Sequence, residues 1–169
     1  VGHNIALSWK ENMNLINHWK SCFTRRWHMN PDMAVHYDCN GGHQGRCAIL
    51  LMRLFPHHSH NVLKAAVSHD MAEAIVGDLG YEFKLAGGAL VKAHAELENE
   101  VLRQIGYDFK LTHEESSVVL LVDRLDAWLF TMHRNPNMIT KKGWTEGRSD
   151  IYVKAASLGV AKEVAAIMK

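Results

Sequence analysis

Several ionisable residues lie close together in the stretch AAVSHDMAEAIVGDLGYEFK, which spans residues 65–84. His69 and Asp70 are adjacent, Glu73 follows about one helical turn later, and Asp78 comes soon after it. On a helix, His69 and Asp70 would project about 100° apart, so both side chains could reach one point beside it. Because an imidazole nitrogen and carboxylates suit a first-row divalent ion, the pattern predicts a metal site.

A further acidic residue, Asp123, lies in the middle of SSVVLLVDRLDAWLF, residues 116–130, whose apolar residues predict a central, buried helix. A buried carboxylate is unfavourable unless it is hydrogen-bonded, paired with a cation or bound to a metal. A salt bridge to an arginine and a metal site are both open alternatives. We interpret Arg124 and Asp126 as residues of helix packing or subunit contacts. His43, at the start of another apolar helix, could supply one more ligand.

The order His43, then His69-Asp70, then Asp123 resembles the H…HD…D signature of the HD-domain phosphohydrolase superfamily. Within that superfamily, HDMAEAIVGDLGYEFK closely resembles the HDxxExxxGDLxxxxK stretch of bacterial 5′-deoxynucleotidases and their small phage relatives. Those relatives include the phage dATP triphosphohydrolases associated with 2-aminoadenine genomes. The segment RWHMNP, residues 26–31, is similar to the R-aromatic-H-x-x-P segment that these proteins carry before their first metal histidine.

The resemblance covers most of residues 15–130 and implies a role for each matching residue. It implies one divalent transition-metal ion (Zn, Co, Mn or Fe), with Mg²⁺ as a possible companion of the substrate phosphates. Glu73 and Asp78 match acidic positions that handle the attacking water and the leaving group. The implied metal ligands are His43, His69, Asp70 and Asp123.

Three more residues match substrate contacts of the superfamily. Arg26 and Lys84 match residues that contact phosphate, and Trp27 matches an aromatic residue near the base. A competing alignment places His18-Trp19 on the arginine–aromatic pair, which would replace a guanidinium by a titratable imidazole. We prefer Arg26-Trp27, because the rest of RWHMNP also fits that alignment.

Two departures from the superfamily pattern precede the first metal histidine. The usual Glu is absent, because the chain has the sequence Gly41-Gly42-His43 at this point. The interval from Arg26 to His43 is also slightly longer than usual, so we expect a remodelled loop there.

The resemblance implies an enzyme that hydrolyses (deoxy)nucleotides, foremost a dATP-preferring dNTP triphosphohydrolase that releases deoxynucleoside and triphosphate. Two alternatives stay open: a 5′-deoxynucleotidase acting on dNMPs, and a non-catalytic nucleotide sensor on the same fold. Intact metal ligands together with Glu73 and Asp78 favour the enzyme over the sensor. The expected partner is a small nucleotide, and we also expect a homo-oligomer.

Helices must position these residues, because helical periodicity dominates the chain. We expect an all-α, compact single-domain bundle of the HD type over residues 1–169. A capping box, Thr112-x-x-Glu115, predicts the start of one helix, and Gly106 predicts the end of another. The predicted helices span about residues 4–24, 43–55, 59–76, 88–105, 112–133 and 149–168, with a loop over 77–85.

Composition narrows the choice of partners and compartment. The chain has 19 Lys and Arg against 18 Asp and Glu, so we expect no nucleic-acid partner. No segment approaches the roughly 18 consecutive apolar residues of a membrane span, and no apolar leader is evident. Three cysteines without CxxC spacing predict reduced thiols. We therefore expect a cytoplasmic protein, in the host cytoplasm if a phage encodes it.

Overall fold

The computed structural model describes residues 15–169, apart from the side chains of residues 81 and 82. Within these residues the structure is helical and has no strand, only an isolated antiparallel bridge between Arg25 and Cys39. The predicted all-α class is therefore confirmed. The helices are α1 (Leu15–Ser21), α2 (Asn40–Leu54), α3 (His60–Ala66), α4 (Glu73–Val76), α5 (Tyr81–Ala86), α6 (Ala89–Gln104), α7 (His113–Arg134), α8 (Lys142–Ser157) and α9 (Ala161–Ile167), with a 3-10 helix at Pro136–Thr140.

The described residues form two compact units. The first unit contains residues 15–42 and Ser68–Asp108, and the second contains His43–Val67 and Phe109–Lys169. The single domain over residues 1–169 stays a prediction. Of the helix predicted over residues 4–24, the part before residue 15 lies outside the described residues. No helix in the described part of the chain has the length and apolar character needed to cross a bilayer.

The second unit is built around α7, which contributes to two buried clusters. A helix that packs on two sides carries apolar residues over most of its surface, as its sequence predicts. One cluster joins it to α2, α8 and α9 through Leu54, Leu121, Leu125, Trp128, Ile151, Ala155, Val160, Val164 and Met168. The other joins it to α2 and α3 through Cys47, Leu51, Val62, Ala66, Val118 and Val122.

Two helix ends predicted from the sequence are confirmed. At the start of α7, the Thr112 hydroxyl accepts a hydrogen bond from the Glu115 N–H (3.1 Å), and the Glu115 carboxylate accepts one from the Thr112 N–H (2.9 Å). After α6, Gly106 has a φ of 88°, a conformation that favours glycine. This conformation lets the Tyr107 N–H donate to the carbonyl oxygen of Leu102 (2.8 Å) and close the helix.

The helix predicted over residues 59–76 is broken in the middle, so this prediction is wrong. After α3 the chain forms turns, and α4 begins only at Glu73. The side-chain amide of Asn40 donates a hydrogen bond to the carbonyl oxygen of Asp70 (3.2 Å). The same oxygen also accepts a hydrogen bond from the Glu73 N–H (3.1 Å), so a turn bond and a side-chain bond together satisfy it where a continuous helix would use one helical bond. His69 and Asp70 therefore lie in turns and not on a helix.

Two other predicted segments are also wrong in their bounds. The loop predicted over residues 77–85 contains most of α5. The helix predicted over residues 149–168 is two helices, because α8 begins at Lys142 and ends before Gly159. Gly159 has a φ of 76°, and a residue in this left-handed conformation cannot continue an α-helix.

Candidate functional site

His43 lies on α2 with its ring fully buried, and an acidic residue of α7 lies beside each ring nitrogen. The Nδ1 atom of His43 is 2.7 Å from Asp126 Oδ2, and its Nε2 atom is 3.2 Å from Asp123 Oδ1. The two carboxylates can face one ring because residues three apart on a helix share a side of it.

Arg46 holds Asp126 in place and keeps it ionised. The Arg46 Nε donates to Asp126 Oδ1 (2.7 Å), and its Nη2 donates to Oδ2 (3.1 Å). Burial alone would raise the pKa of Asp126, but the hydrogen bonds from His43 and Arg46 outweigh it, so the pKa is lowered. An ionised Asp126 favours the His43 tautomer with its proton on Nδ1. The lone pair is then on Nε2, as a metal-binding histidine requires.

The buried carboxylate of α7 is Asp126, and the prediction that Asp123 is the buried one is wrong. Asp126 is 3% exposed, whereas the Asp123 side chain is 32% exposed. Asp126 bonds to His43 and is therefore part of the site. The sequence-based interpretation of Asp126 as a residue of helix packing or subunit contacts did not include this bond. Its partner Arg46 was also missed, although a usable signal exists. Both helices carry their two site residues at a spacing of three, as His43-x-x-Arg46 and Asp123-x-x-Asp126.

The thiol of Cys47 also lies against His43. Its Sγ is 3.6 Å from each ring nitrogen and donates to the carbonyl oxygen of Val122 (3.7 Å). Ligand atoms of His43, Cys47 and Asp126 lie within 4.8 Å of one another, so these residues could hold a metal ion. Because Arg46 already bonds to both oxygens of Asp126, the geometry favours an orienting role for Asp126 over a ligand role.

In the first unit, His69 and Asp70 lie side by side in the turns before α4. The Nε2 atom of His69 is 3.3 Å from Asp70 Oδ1, and Arg26 Nη1 donates to Asp70 Oδ2 (3.4 Å). Both side chains are partly exposed. The imidazole of His69 and the carboxylate of Asp70 are donor types that could hold a divalent transition-metal ion.

A buried carboxylate that the sequence analysis missed, Asp38, fixes Arg26 and Trp27. Trp27 Nε1 donates to Asp38 Oδ2 (3.3 Å), and Arg26 Nε is 3.8 Å from the same oxygen. Trp27 has a φ of 64°, an uncommon conformation for a bulky residue and one that often marks a functional site. The Arg26 guanidinium lies 5.6 Å from the centre of the Trp27 ring. His18, the competing candidate for the arginine position, packs against the ring of Tyr107.

Glu73, the first residue of α4, is an acid with a strongly shifted pKa. The pKa of Glu73 is raised from 4.5 to about 8, mainly by burial and further by the negative charges of Asp70 and Asp78. A hydrogen bond from Asn40 to Glu73 Oε2 (2.9 Å) and the charge of Lys84 oppose the rise without cancelling it. Glu73 therefore holds its proton more strongly than an ordinary glutamate does.

Asp78 and Lys84 form an ion pair in the same unit, with Lys84 Nζ 2.8 Å from Asp78 Oδ1. Burial alone would lower the pKa of Lys84, but the hydrogen bond and charge of Asp78 raise it. Burial also raises the pKa of Glu98 on α6, against the opposing charge of His94, whose Nδ1 is 3.5 Å away. The pair with Asp78 fixes the position of the Lys84 ammonium group.

The predicted site residues fall into two groups, one in each unit. His43 and Asp123 belong to the second unit. The first unit contains Arg26, Trp27, His69, Asp70, Glu73, Asp78 and Lys84. A comparison of the chain with protein-family models, curated proteins and solved structures finds no match.

Proposed function

We propose that the protein is a metal-dependent nucleotide phosphohydrolase of the HD-domain type. The observation that carries the proposal is the arrangement around His43. Asp126 and Arg46 fix its ring so that Nε2 faces the carboxylate of Asp123. A histidine bonded through one nitrogen to an ionised carboxylate, with the other nitrogen facing a second acidic group, is typical of metal sites.

The H…HD…D order of the sequence supports a single divalent ion with the ligands His43, His69, Asp70 and Asp123. Imidazole together with carboxylates favours Zn, Co, Mn or Fe, whereas Mg²⁺ alone would favour oxygen ligands. A divalent ion in such a site lowers the pKa of a bound water and polarises a phosphoryl oxygen.

The residues of the first unit supply the remaining chemistry. Glu73 orients the attacking water or, in its ionised form, takes up one of its protons, and a pKa raised toward neutral pH suits this exchange. Asp78 relays a proton of the attacking water to the departing oxygen. Arg26 suits a bidentate contact with a phosphate, and Lys84 suits a mobile one. Both cations bond to carboxylates in this structure, and a phosphate would take the place of those carboxylates.

The proposed substrate is a deoxynucleoside triphosphate, with dATP preferred. Water attacks the α-phosphorus, the bond to the 5′ oxygen breaks, and that oxygen takes up a proton, so the products are deoxynucleoside and triphosphate. The preference for adenine and deoxyribose follows from the resemblance to the phage enzymes. We further propose that the protein acts in the cytoplasm as a homo-oligomer, and its three free cysteines support a reducing compartment.

Product analysis tests this proposal most directly. Purified protein is incubated with Mn²⁺ and with dATP, ATP, dGTP or dAMP in turn, and the products are separated by chromatography. We expect deoxyadenosine and triphosphate from dATP and little turnover of ATP. Asp123→Asn should abolish turnover, whereas Asp150→Asn, an exposed aspartate of the same unit, should not.

Other outcomes would replace the proposal by one of its alternatives. Orthophosphate from dAMP with dATP intact would make the protein a 5′-deoxynucleotidase. No turnover of any nucleotide, with metal bound to the protein, would favour a nucleotide sensor.

A further inference from the structure

We propose that Asn40 is a positioning residue that fixes the carboxyl group of Glu73 for proton transfer, a role that rests on the proposed function. Asn40 is the first residue of α2 and is 1% exposed. Its Nδ2 donates two hydrogen bonds, to Glu73 Oε2 (2.9 Å) and to the carbonyl oxygen of Asp70 (3.2 Å). One amide group therefore sets the position of the proton-transfer residue relative to the backbone of a predicted metal ligand.

The backbone of Asn40 is itself held firmly. The Asn40 N–H donates to the carbonyl oxygen of Thr24 (3.0 Å), and the Gly41 N–H donates to that of Cys22 (2.8 Å). A Cβ atom at Gly41 would lie 2.8 Å from the Cβ of Cys22, so this close approach requires glycine. The start of α2 is thus locked against the segment that follows α1, and this contact places the Asn40 amide beside Glu73.

The chemistry of an amide suits this role better than a purely structural one. An amide N–H can donate to a carboxyl oxygen whether the carboxyl group is ionised or protonated, so Glu73 keeps its position throughout proton transfer. An aspartate here would instead add a negative charge to those of Asp70 and Asp78. The Oδ1 atom of Asn40 is buried and has no hydrogen-bond partner among the described residues. Because such an atom is unfavourable for stability, stability alone does not explain an asparagine at this position.

The kinetic test compares Asn40→Ala with Asn61→Ala, which removes an exposed amide from the start of α3. We expect Asn40→Ala to lower kcat for dATP about ten- to hundredfold with little change in KM, because a misplaced catalytic group slows the reaction by such factors. Asn61→Ala should leave both constants unchanged. The double variant Asn40→Ala/Glu73→Gln should be no slower than Glu73→Gln alone, because Asn40 acts through Glu73.

An equal additional loss of kcat in the Glu73→Gln background would overturn the proposal, as would a rise of KM alone. Gly41→Ala provides a second route, because it keeps the amide but forces the start of α2 away from Cys22. Gly41→Ala should also lower kcat, and it replaces Asn40→Ala in the kinetic test if the Asn40→Ala protein does not fold. A Gly41→Ala protein with unchanged kcat would contradict the inference.

The hydrogen bond between Asn40 and Glu73 can be tested without measuring enzymatic activity, so that a failure of this inference is distinguished from a failure of the proposed function. In an NMR spectrum, the Asn40 side-chain amide protons should exchange slowly with solvent, and their resonances should shift and lose protection in Glu73→Ala. Unshifted resonances would show that the hydrogen bond to Glu73 does not form, which overturns the positioning role. If the hydrogen bond is present but wild-type protein turns over no nucleotide, the proposed function fails, and the role in proton transfer fails with it.

Discussion

Replacing Asp126 by asparagine keeps the shape of the side chain and removes its charge. In the structure this carboxylate accepts hydrogen bonds from His43 Nδ1 (2.7 Å), Arg46 Nε (2.7 Å) and Arg46 Nη2 (3.1 Å). An asparagine has a single oxygen, so its NH₂ group must face one of these donors. The variant therefore loses at least one charge-assisted hydrogen bond and deprives Arg46 of this carboxylate.

The expected loss of stability follows from the burial of the two partners. A hydrogen bond to a charged group contributes about 1.5–3 kcal/mol, and removal of one partner of a buried ion pair costs about 3–5 kcal/mol. The Arg46 side chain is 36% exposed, so water can solvate part of its charge in the variant. We therefore expect the free energy of unfolding to fall by about 2–3 kcal/mol. The affinity for a metal ion should fall about 10- to 100-fold, because His43 loses its orienting partner.

Urea unfolding followed by circular dichroism, in buffer with a chelator, measures the change in stability. The midpoint should fall while the slope of the transition stays constant. Asp150→Asn is the matched control, because the Asp150 pair with Arg124 is exposed and 3.8 Å long. A pair of this kind contributes less than about 1 kcal/mol. Equal stability of the Asp126→Asn and Asp150→Asn proteins would refute the reasoning that the buried hydrogen bonds of Asp126 stabilise the fold.

Three further predictions concern Asp70 and Glu73. Elemental analysis should find about one divalent ion per chain in wild-type protein and much less in Asp70→Ala, and equal metal content would contradict the ligand assignment. Glu73→Ala should lower kcat about 10²- to 10⁴-fold while metal and nucleotide binding persist, whereas a largely retained kcat would make Glu73 a packing residue. The pKa of Glu73 is raised from 4.5 to about 8 in the folded protein, so its contribution to stability is complete below pH 4.5 and is lost as the pH rises through 8. Thermal melts with a chelator should therefore show that the stability of Glu73→Gln rises relative to that of wild type as the pH increases from 4.5 to 8. A stability difference that does not change with pH would show that the pKa of Glu73 is not raised.

The sequence by itself determines the all-α class and several helix ends, because these features depend on interactions between neighbouring residues. The capping box of Thr112 and Glu115 is a contact within one turn, and Gly106 ends α6 through its own φ angle. The end of α8 was predictable by the same reasoning. Gly159 lets the Val160 N–H donate to the carbonyl oxygen of Ala155 (2.9 Å), which is a local pattern that the sequence analysis overlooked.

The residue types of the candidate site are also evident in the sequence, but their environments are not. Asp123 and Asp126 are both acidic residues of one apolar helix, and periodicity does not say which of them is buried. Asp126 is the buried one because His43 and Arg46 of another helix bond to it across a separation of 80 residues or more. Likewise, the pKa of Glu73 depends mainly on burial, which only the folded chain determines.

The break between α3 and α4 shows most clearly what the tertiary structure decided. Neither glycine nor proline lies between Ser59 and Val76, so local propensity favours the continuous helix that the sequence predicts. Within the break, the amide of Asn40, 30 residues earlier in the chain, donates a hydrogen bond to the carbonyl oxygen of Asp70, which also accepts one from the Glu73 N–H. Local sequence signals extend over a few residues, so a hydrogen bond over that separation is set only when the chain folds.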